Sequence, residues 1–170
     1  MSKFKEIGIE EWKENACKAI GKDWMLVAAA KDGETNAMTA SWGGLGVMWG
    51  KNAAYIFIRP QRYTKEFIDG SDTLSLTFYD EKYRDTLSYM GKVSGRDEQK
   101  IAEAGLNVCM EGDTPYFKEA KTVLLCRKMY AQQLQPECFI DKEADTKWYP
   151  QKDYHTMYVC EITKVLVKEA

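Results

Sequence analysis

The chain has 170 residues, of which 45% are hydrophobic and 29% charged, and its 24 basic and 26 acidic side chains leave a formal net charge of −2. It fits a single globular domain over residues 1–170, since domains run to ~100–200 residues; it is too apolar for disorder and too evenly charged for nucleic acid to be the expected partner. With 1 His and 5 Cys and no C-x-x-C pair, no metal site is expected, because zinc and iron–sulfur sites usually draw at least two ligands from one tight turn.

The opening Met1-Ser2-Lys3-Phe4-Lys5 lacks the apolar stretch of a secretory signal. An odd cysteine count without such a signal points to reduced thiols and a cytoplasmic location. The first predicted element is a helix from Ile9 to Ile20, with Trp12, Ala16, Ala19 and Ile20 at helical spacing and Gly21 as its stop. Trp24 to Ala30 and Thr35 to Trp42 flank an Asp32-Gly33 turn and read as a β-hairpin. The first of these, the longest apolar run, is far too short to cross a bilayer, so no membrane partner is expected. Gly43-Gly44-Leu45-Gly46 reads as a loop, Ala54 to Arg59 as a buried strand, and Tyr63 to Asp69 as a short helix ended by Gly70. Thr73 to Tyr79 alternates, with Leu74, Leu76 and Phe78 on one face and Thr73, Ser75 and Thr77 on the other. A second short helix is expected over Tyr83 to Met90, and a third from a Ser94 cap with Asp97 three residues on, running to Ala104 and closed by Gly105. Thr122 to Leu134 and Met157 to Val167 read as long strands, separated by a polar, aromatic loop with a helical turn over Gln135 to Asp153. Short strands punctuated by short helices point to a mainly β fold, a barrel or sandwich with helical insertions, and not to a βαβ repeat.

Four segments carry residues suited to chemistry. In Asn36-Ala37-Met38-Thr39-Ala40-Ser41-Trp42 the hydroxyls of Thr39 and Ser41 share one strand face, which is either an ordinary wet face or a row of hydrogen-bonding groups. The glycines after it lack the spacing of a phosphate-binding loop or a dinucleotide fingerprint. Arg59-Pro60-Gln61-Arg62-Tyr63-Thr64 sets two guanidinium forks and a hydroxyl at a helix start. Arg grips phosphate in bidentate fashion and helix N-termini favour anions, but an internal ion pair with Glu66 or Asp69 would account for the same residues. Lys92-Val93-Ser94-Gly95-Arg96-Asp97 is a second candidate anion cradle, or a plain helix cap. His155, flanked by Asp153, Tyr154 and Tyr158, is either structural or functional.

Taken in order, Met38-Thr39-Ala40-Ser41-Trp42-Gly43-Gly44-Leu45-Gly46, Arg59-Pro60-Gln61-Arg62-Tyr63-Thr64, Ser94-Gly95-Arg96-Asp97 and Asp153-Tyr154-His155 resemble the flavin reductase-like family, most of all its flavoredoxin branch, over Trp24 to Val167. The resemblance implies an FMN-binding split β-barrel of Greek-key type and a homodimer with the flavin near the interface. It also implies hydride transfer from NAD(P)H to flavin N5 and on to a flavin or another small acceptor, or else a flavoredoxin-type electron carrier serving protein partners. By position it puts Met38, Thr39, Ala40, Ser41 and Trp42 along the ring edge and ribityl chain. It puts Arg59, Arg62, Tyr63 and Thr64 toward the ribityl phosphate, with Lys92 and Ser94 as further contacts. His155 would lie at the ring face or substrate pocket, as the candidate catalytic residue. Cys160-Glu161-Ile162 departs from relatives that often carry Gly at the first position, and no role is assigned to the thiol.

Overall fold

A single curled sheet organises the chain, in which every strand pair is antiparallel. The computed structural model describes residues 3–169. In chain order come β1 (Phe4–Ile7), a 3-10 turn at Ile9–Glu11, α1 (Ala16–Gly21), β2 (Met25–Lys31), β3 (Glu34–Ala40), β4 (Gly43–Met48), β5 (Lys51–Ile58) and α2 (Thr64–Asp69). Then follow β6 (Thr73–Phe78), α3 (Arg84–Lys92), α4 (Lys100–Glu103), β7 (Val108–Glu111), β8 (Thr114–Phe117), β9 (Thr122–Gln133), α5 (Lys142–Trp148) and β10 (Thr156–Lys168). The strand order is β3-β2-β6-β9-β10-β5-β4, while β7 and β8 form a separate hairpin.

The long β10 closes the curl. One edge pairs with β9 along its length, and the other pairs first with β5, through Thr156 to Glu161, and then with β1, through Val165 to Lys168. Its register shifts at Val159/Cys160 and again at Ile162/Lys164, and such irregularities bend a strand and tighten its twist. The result is the split β-barrel that the resemblance implies, mostly β with short helices between strands. The two ends of the sheet order, β3 and β4, are successive strands joined only by Ser41 and Trp42.

Burial follows the two-residue strand period. Met25, Val27 and Ala29 of β2 join the barrel core with Ile56, Ile58, Leu74, Leu76, Phe78 and Tyr158. Leu26 and Ala28 face a second core, closed by Leu87 and Met90 of α3 and Phe117 of β8. The polar face of β6 is therefore covered as well. Ser75 donates to the Pro115 carbonyl at 2.6 Å and Thr77 bonds the Tyr79 hydroxyl at 2.8 Å, which satisfies hydroxyls that would be costly to bury bare.

The Asp-Gly hairpin forms as expected, with Asp32 and Gly33 both at positive φ (52° and 78°) between Lys31 and Glu34, the turn that matches strand twist. Three expectations need correction. The predicted Ile9–Ile20 helix is broken: Asn15 accepts from the Lys18 backbone N–H at 3.0 Å and starts α1 there, a cap contributing ~1 kcal/mol. Gly43-Gly44-Leu45-Gly46 is strand β4, not a loop. Gly43 lies at φ 149° and a Cβ on it would strike the Tyr55 carbonyl, so glycine lets β4 close against β5. The helix expected from Ser94 to Ala104 shrinks to α4. Ser94 accepts from the Arg96 backbone N–H at 3.2 Å in a tight turn, and helix begins only at Lys100.

Candidate functional site

Beside the β3–β4 junction lies a cleft of about 420 Å³ lined by Met38, Thr39, Ala40, Ser41, Trp42, Phe57, Arg59, Arg62, Trp148 and His155. Its size is within the ~300–1,000 Å³ range of ligand sites. A smaller recess of about 220 Å³ adjoins it, sharing Thr39 and Ser41 and adding Trp24, Ser88, Gly91 and Lys92. The β3 alternation sets the wall. Met38 and Ala40 are buried and belong to the barrel core, while Thr39 and Ser41 are half-buried on the opposite face. Thr39 donates to the Leu87 carbonyl at 2.5 Å, which leaves its oxygen free to accept. A Cβ on Gly91 would sit 3.1 Å from the Thr39 Cβ, so α3 and β3 pack tightly there and a side chain would push Thr39 by a few tenths of an ångström.

One end of the cleft is cationic at Arg62, with Lys92 and Lys100 in the recesses beside it. Arg62 is half-buried and donates to the Gly91 carbonyl at 3.1 Å, and burial lowers its pKa. Lys100 is only 3% exposed and donates to the Met90 and Val93 carbonyls at 3.1 and 3.0 Å. Burial, and then the nearby Arg62 charge, push its pKa down to about 8. Lys92, in the last turn of α3, is exposed. Among the described residues none of the three has a carboxylate within ion-pair distance.

The other end is aromatic. Trp42 meets Trp148 edge-on at 5.0 Å between centroids and lies against His155 at 4.9 Å. His155 is 7% exposed and its Nδ1 shares a 2.6 Å hydrogen bond with the Tyr149 hydroxyl. Burial first, then the Arg59 charge, lower its pKa to about 4, with Asp153 opposing, so the imidazole is neutral at pH 7. Arg59 is paired. Its guanidinium pairs with Asp153 at 2.7 Å, donates to the Trp148 carbonyl at 3.0 Å and lies 5.0 Å over the Tyr149 ring. Its ion-pair partner is thus Asp153, not Glu66 or Asp69, and Gln61 bonds the same carboxylate at 2.8 Å. Asp153 is held below the usual carboxylate range by Gln61 and by Arg59.

The cleft thus gathers Met38, Thr39, Ala40, Ser41, Trp42, Arg59, Arg62 and His155, with Lys92 in the adjoining recess. Other predicted contacts lie apart from it. Thr64 is 1% exposed and its hydroxyl accepts from the Asn36 amide at 2.9 Å. Tyr63 packs edge-on against Phe67, with the Arg96 guanidinium 4.5 Å over its ring and Arg96 paired to Glu66. Ser94 accepts from the Arg96 backbone N–H in its turn and lines neither the cleft nor the adjoining recess. Sequence reasoning missed Phe57, Trp148 and Lys100. The strand alternation from Ala54 to Arg59 could have found Phe57, which shares a face with Arg59, but no local pattern marks the other two. Cys160 is fully buried in the barrel core with its pKa pushed up to about 12 by burial, so the thiol does not reach the cleft.

Known structures share this architecture. An FMN-binding domain of a flavin reductases-like enzyme from Shewanella baltica OS155 superposes with a TM-score of 0.70 at 15% identity, covering 98% of this chain and 78% of that one. A flavoredoxin from Methanosarcina acetivorans gives 0.68 at 21% identity over 86% and 69%, and the flavoredoxin of Desulfovibrio vulgaris (Miyazaki F) gives 0.66 at 22% over 86% and 69%. No curated protein matches the chain in sequence. The profile of the family described as "Flavin reductase like domain" matches residues 18–170. That match spans nearly the whole chain and agrees with the barrel and its cleft, and the chain therefore belongs to the flavin reductase like domain family.

Proposed function

We propose that the chain binds FMN in this cleft and works as an oxidoreductase, taking hydride from NAD(P)H and passing electrons to a flavin or another small acceptor. The observation that carries the reading is the polarity of the cleft, with cations lacking carboxylate partners at one end and an aromatic wall at the other. A phosphate monoester carries ~1.5–2 negative charges at neutral pH, which suits Arg62 and Lys92, and a flat ring suits Trp42, Trp148 and His155. When bound, FMN supplies an N5 that accepts hydride from a reduced nicotinamide and hands electrons on.

The side chains have binding, orienting and water-excluding work. Arg62 holds the phosphate, and the Thr39 and Ser41 hydroxyls face the ribityl chain. Backbone N–H groups near Ser41 and Trp42 stabilise negative charge where it develops on the ring. His155 is neutral and tied to Tyr149, so it shapes the substrate side and keeps water out; it is not a proton donor at neutral pH. A homodimer fits the same reading. Val47, Met48 and Trp49 at the β4–β5 turn, with Tyr130 6.1 Å from Trp49, are exposed apolar residues that such an interface would cover.

Anaerobic mixing tests the activity. Purified protein reconstituted with FMN is expected to lose its flavin colour on addition of NADH or NADPH. If neither bleaches it while a reduced ferredoxin does, the reductase reading is replaced by that of an electron carrier. Protein that takes up no FMN at all sinks both.

A further inference from the structure

The last turn of α3 holds more positive charge than its own chemistry requires. A helix C-terminus carries the equivalent of about half a negative charge, so one cation would balance it. Here Lys100 binds the Met90 and Val93 carbonyls, Arg62 binds the Gly91 carbonyl between them, and Lys92 lies in the same turn. Three full charges therefore meet a fraction of one. Lys100 is withdrawn from water and Arg62 is half-buried, close enough that Arg62 lowers the pKa of Lys100. Two cations gathered without an anion repel each other, and that repulsion is relieved when an anion joins them. The Lys100 ammonium has three donors and two carbonyl partners, and it keeps its charge at neutral pH.

Building on the proposed FMN site, we propose that Lys100 is a positioning residue for its phosphate end. The buried ammonium pins the Met90–Val93 turn so that Arg62 and Lys92 converge on one phosphoryl group, and it adds a solvent-shielded positive charge behind them. Lys100 lines a neighbouring recess with Asn36 and Gly95, not the cleft itself, so it acts through α3 and through its field and does not touch the cofactor. A Cβ on Gly95 would strike the Asn36 amide, so the absence of a side chain there leaves room for that amide beside Lys100.

The test compares FMN with riboflavin, which lacks the phosphate, on the full chain. Dissociation constants come from flavin fluorescence titrations of wild type, Lys100→Gln, Lys100→Met and Lys100→Arg. Gln keeps a donor for the carbonyls without the charge, Met keeps only the length of the stem, and Arg keeps the charge. Either uncharged variant is expected to weaken FMN roughly tenfold and riboflavin less than about twofold, and Lys100→Arg to recover most of the FMN affinity. An unchanged FMN-to-riboflavin ratio in whichever uncharged variant folds, whether both affinities fall together or neither moves, overturns the proposal. If Arg62→Ala lowers that ratio while Lys100→Gln does not, the FMN site stands and the role of Lys100 alone falls. Wild-type protein that binds both flavins equally, or neither, overturns the FMN site and this proposal with it.

Discussion

Arg59 and Arg62 stand three residues apart between β5 and α2, line the same cleft, and are in opposite electrostatic states. Arg59 is neutralised: Asp153 takes its charge, the Trp148 carbonyl takes a further N–H, and Tyr149 stacks beneath it. Among the described residues Arg62 has only the Gly91 carbonyl. A guanidinium already paired to a carboxylate has little left to offer an anion, because the pair's field largely cancels at a distance. One bonded to a neutral carbonyl keeps its whole charge. The same residue type therefore serves as a clamp at the aromatic end, tying the segment that carries Trp148 and Asp153 to β5, and as an anion receptor at the other end.

Removing each arginine separates these two roles. Arg62→Ala is expected to have the largest effect. Charge-assisted hydrogen bonds contribute ~1.5–3 kcal/mol, so FMN affinity should fall roughly 10- to 100-fold, with riboflavin nearly unaffected. Equal losses for the two flavins would make Arg62 another clamp. Arg59→Met should act differently. It takes the charged partner from the Asp153 carboxylate, which keeps Gln61, and the donor from the Trp148 carbonyl, so the melting temperature drops and both flavins weaken together by a smaller factor. Selective loss of FMN in Arg59→Met would put the phosphate at the wrong end of the cleft.

How much of this was legible in the sequence depends on whether the deciding contact is local. The β2–β3 hairpin was, since Asp32-Gly33 names its own turn. So were the long strands β9 and β10, whose stretches are rich in Val, Leu, Tyr and Cys. Strand β4 was not. Three of its first four residues are glycines, which leave no side chains to alternate, and their purpose appears only when Tyr55 lies across from them. The β7–β8 hairpin was not legible either, since Pro115 inside β8 argues locally against a strand, although on a two-stranded ribbon it costs no central ladder. Within the site, the Thr39–Ser41 face and the paired arginines were visible as residue types at useful spacing. Which arginine is free was not, because Asp153 lies 94 positions from Arg59 in the chain. Lys100 was invisible for the same reason. In a stretch as polar as Arg96 to Glu103 a lysine reads as a solvated one, and only the fold brings the end of α3 over it.

The finest contrast between the two arginines is read through His155. Its folded pKa, about 4, lies below the ordinary 6.5, first because it is buried and second because Arg59 is close; Arg62 is not among the causes. Between those two values the unfolded chain binds a proton that the folded chain refuses, so stability rises with pH across that window. It is complete above about 6.5 and is lost as the pH falls toward 4. Arg59→Met removes the cationic contribution and leaves the burial, so the imidazole should titrate at higher pH. The acid loss of stability should then be confined to a narrower window. Arg62→Ala should leave the titration where it is. Proton NMR of the single histidine against pH reads both variants without flavin, and an equal shift in the two would show that the clamp and the receptor share one field.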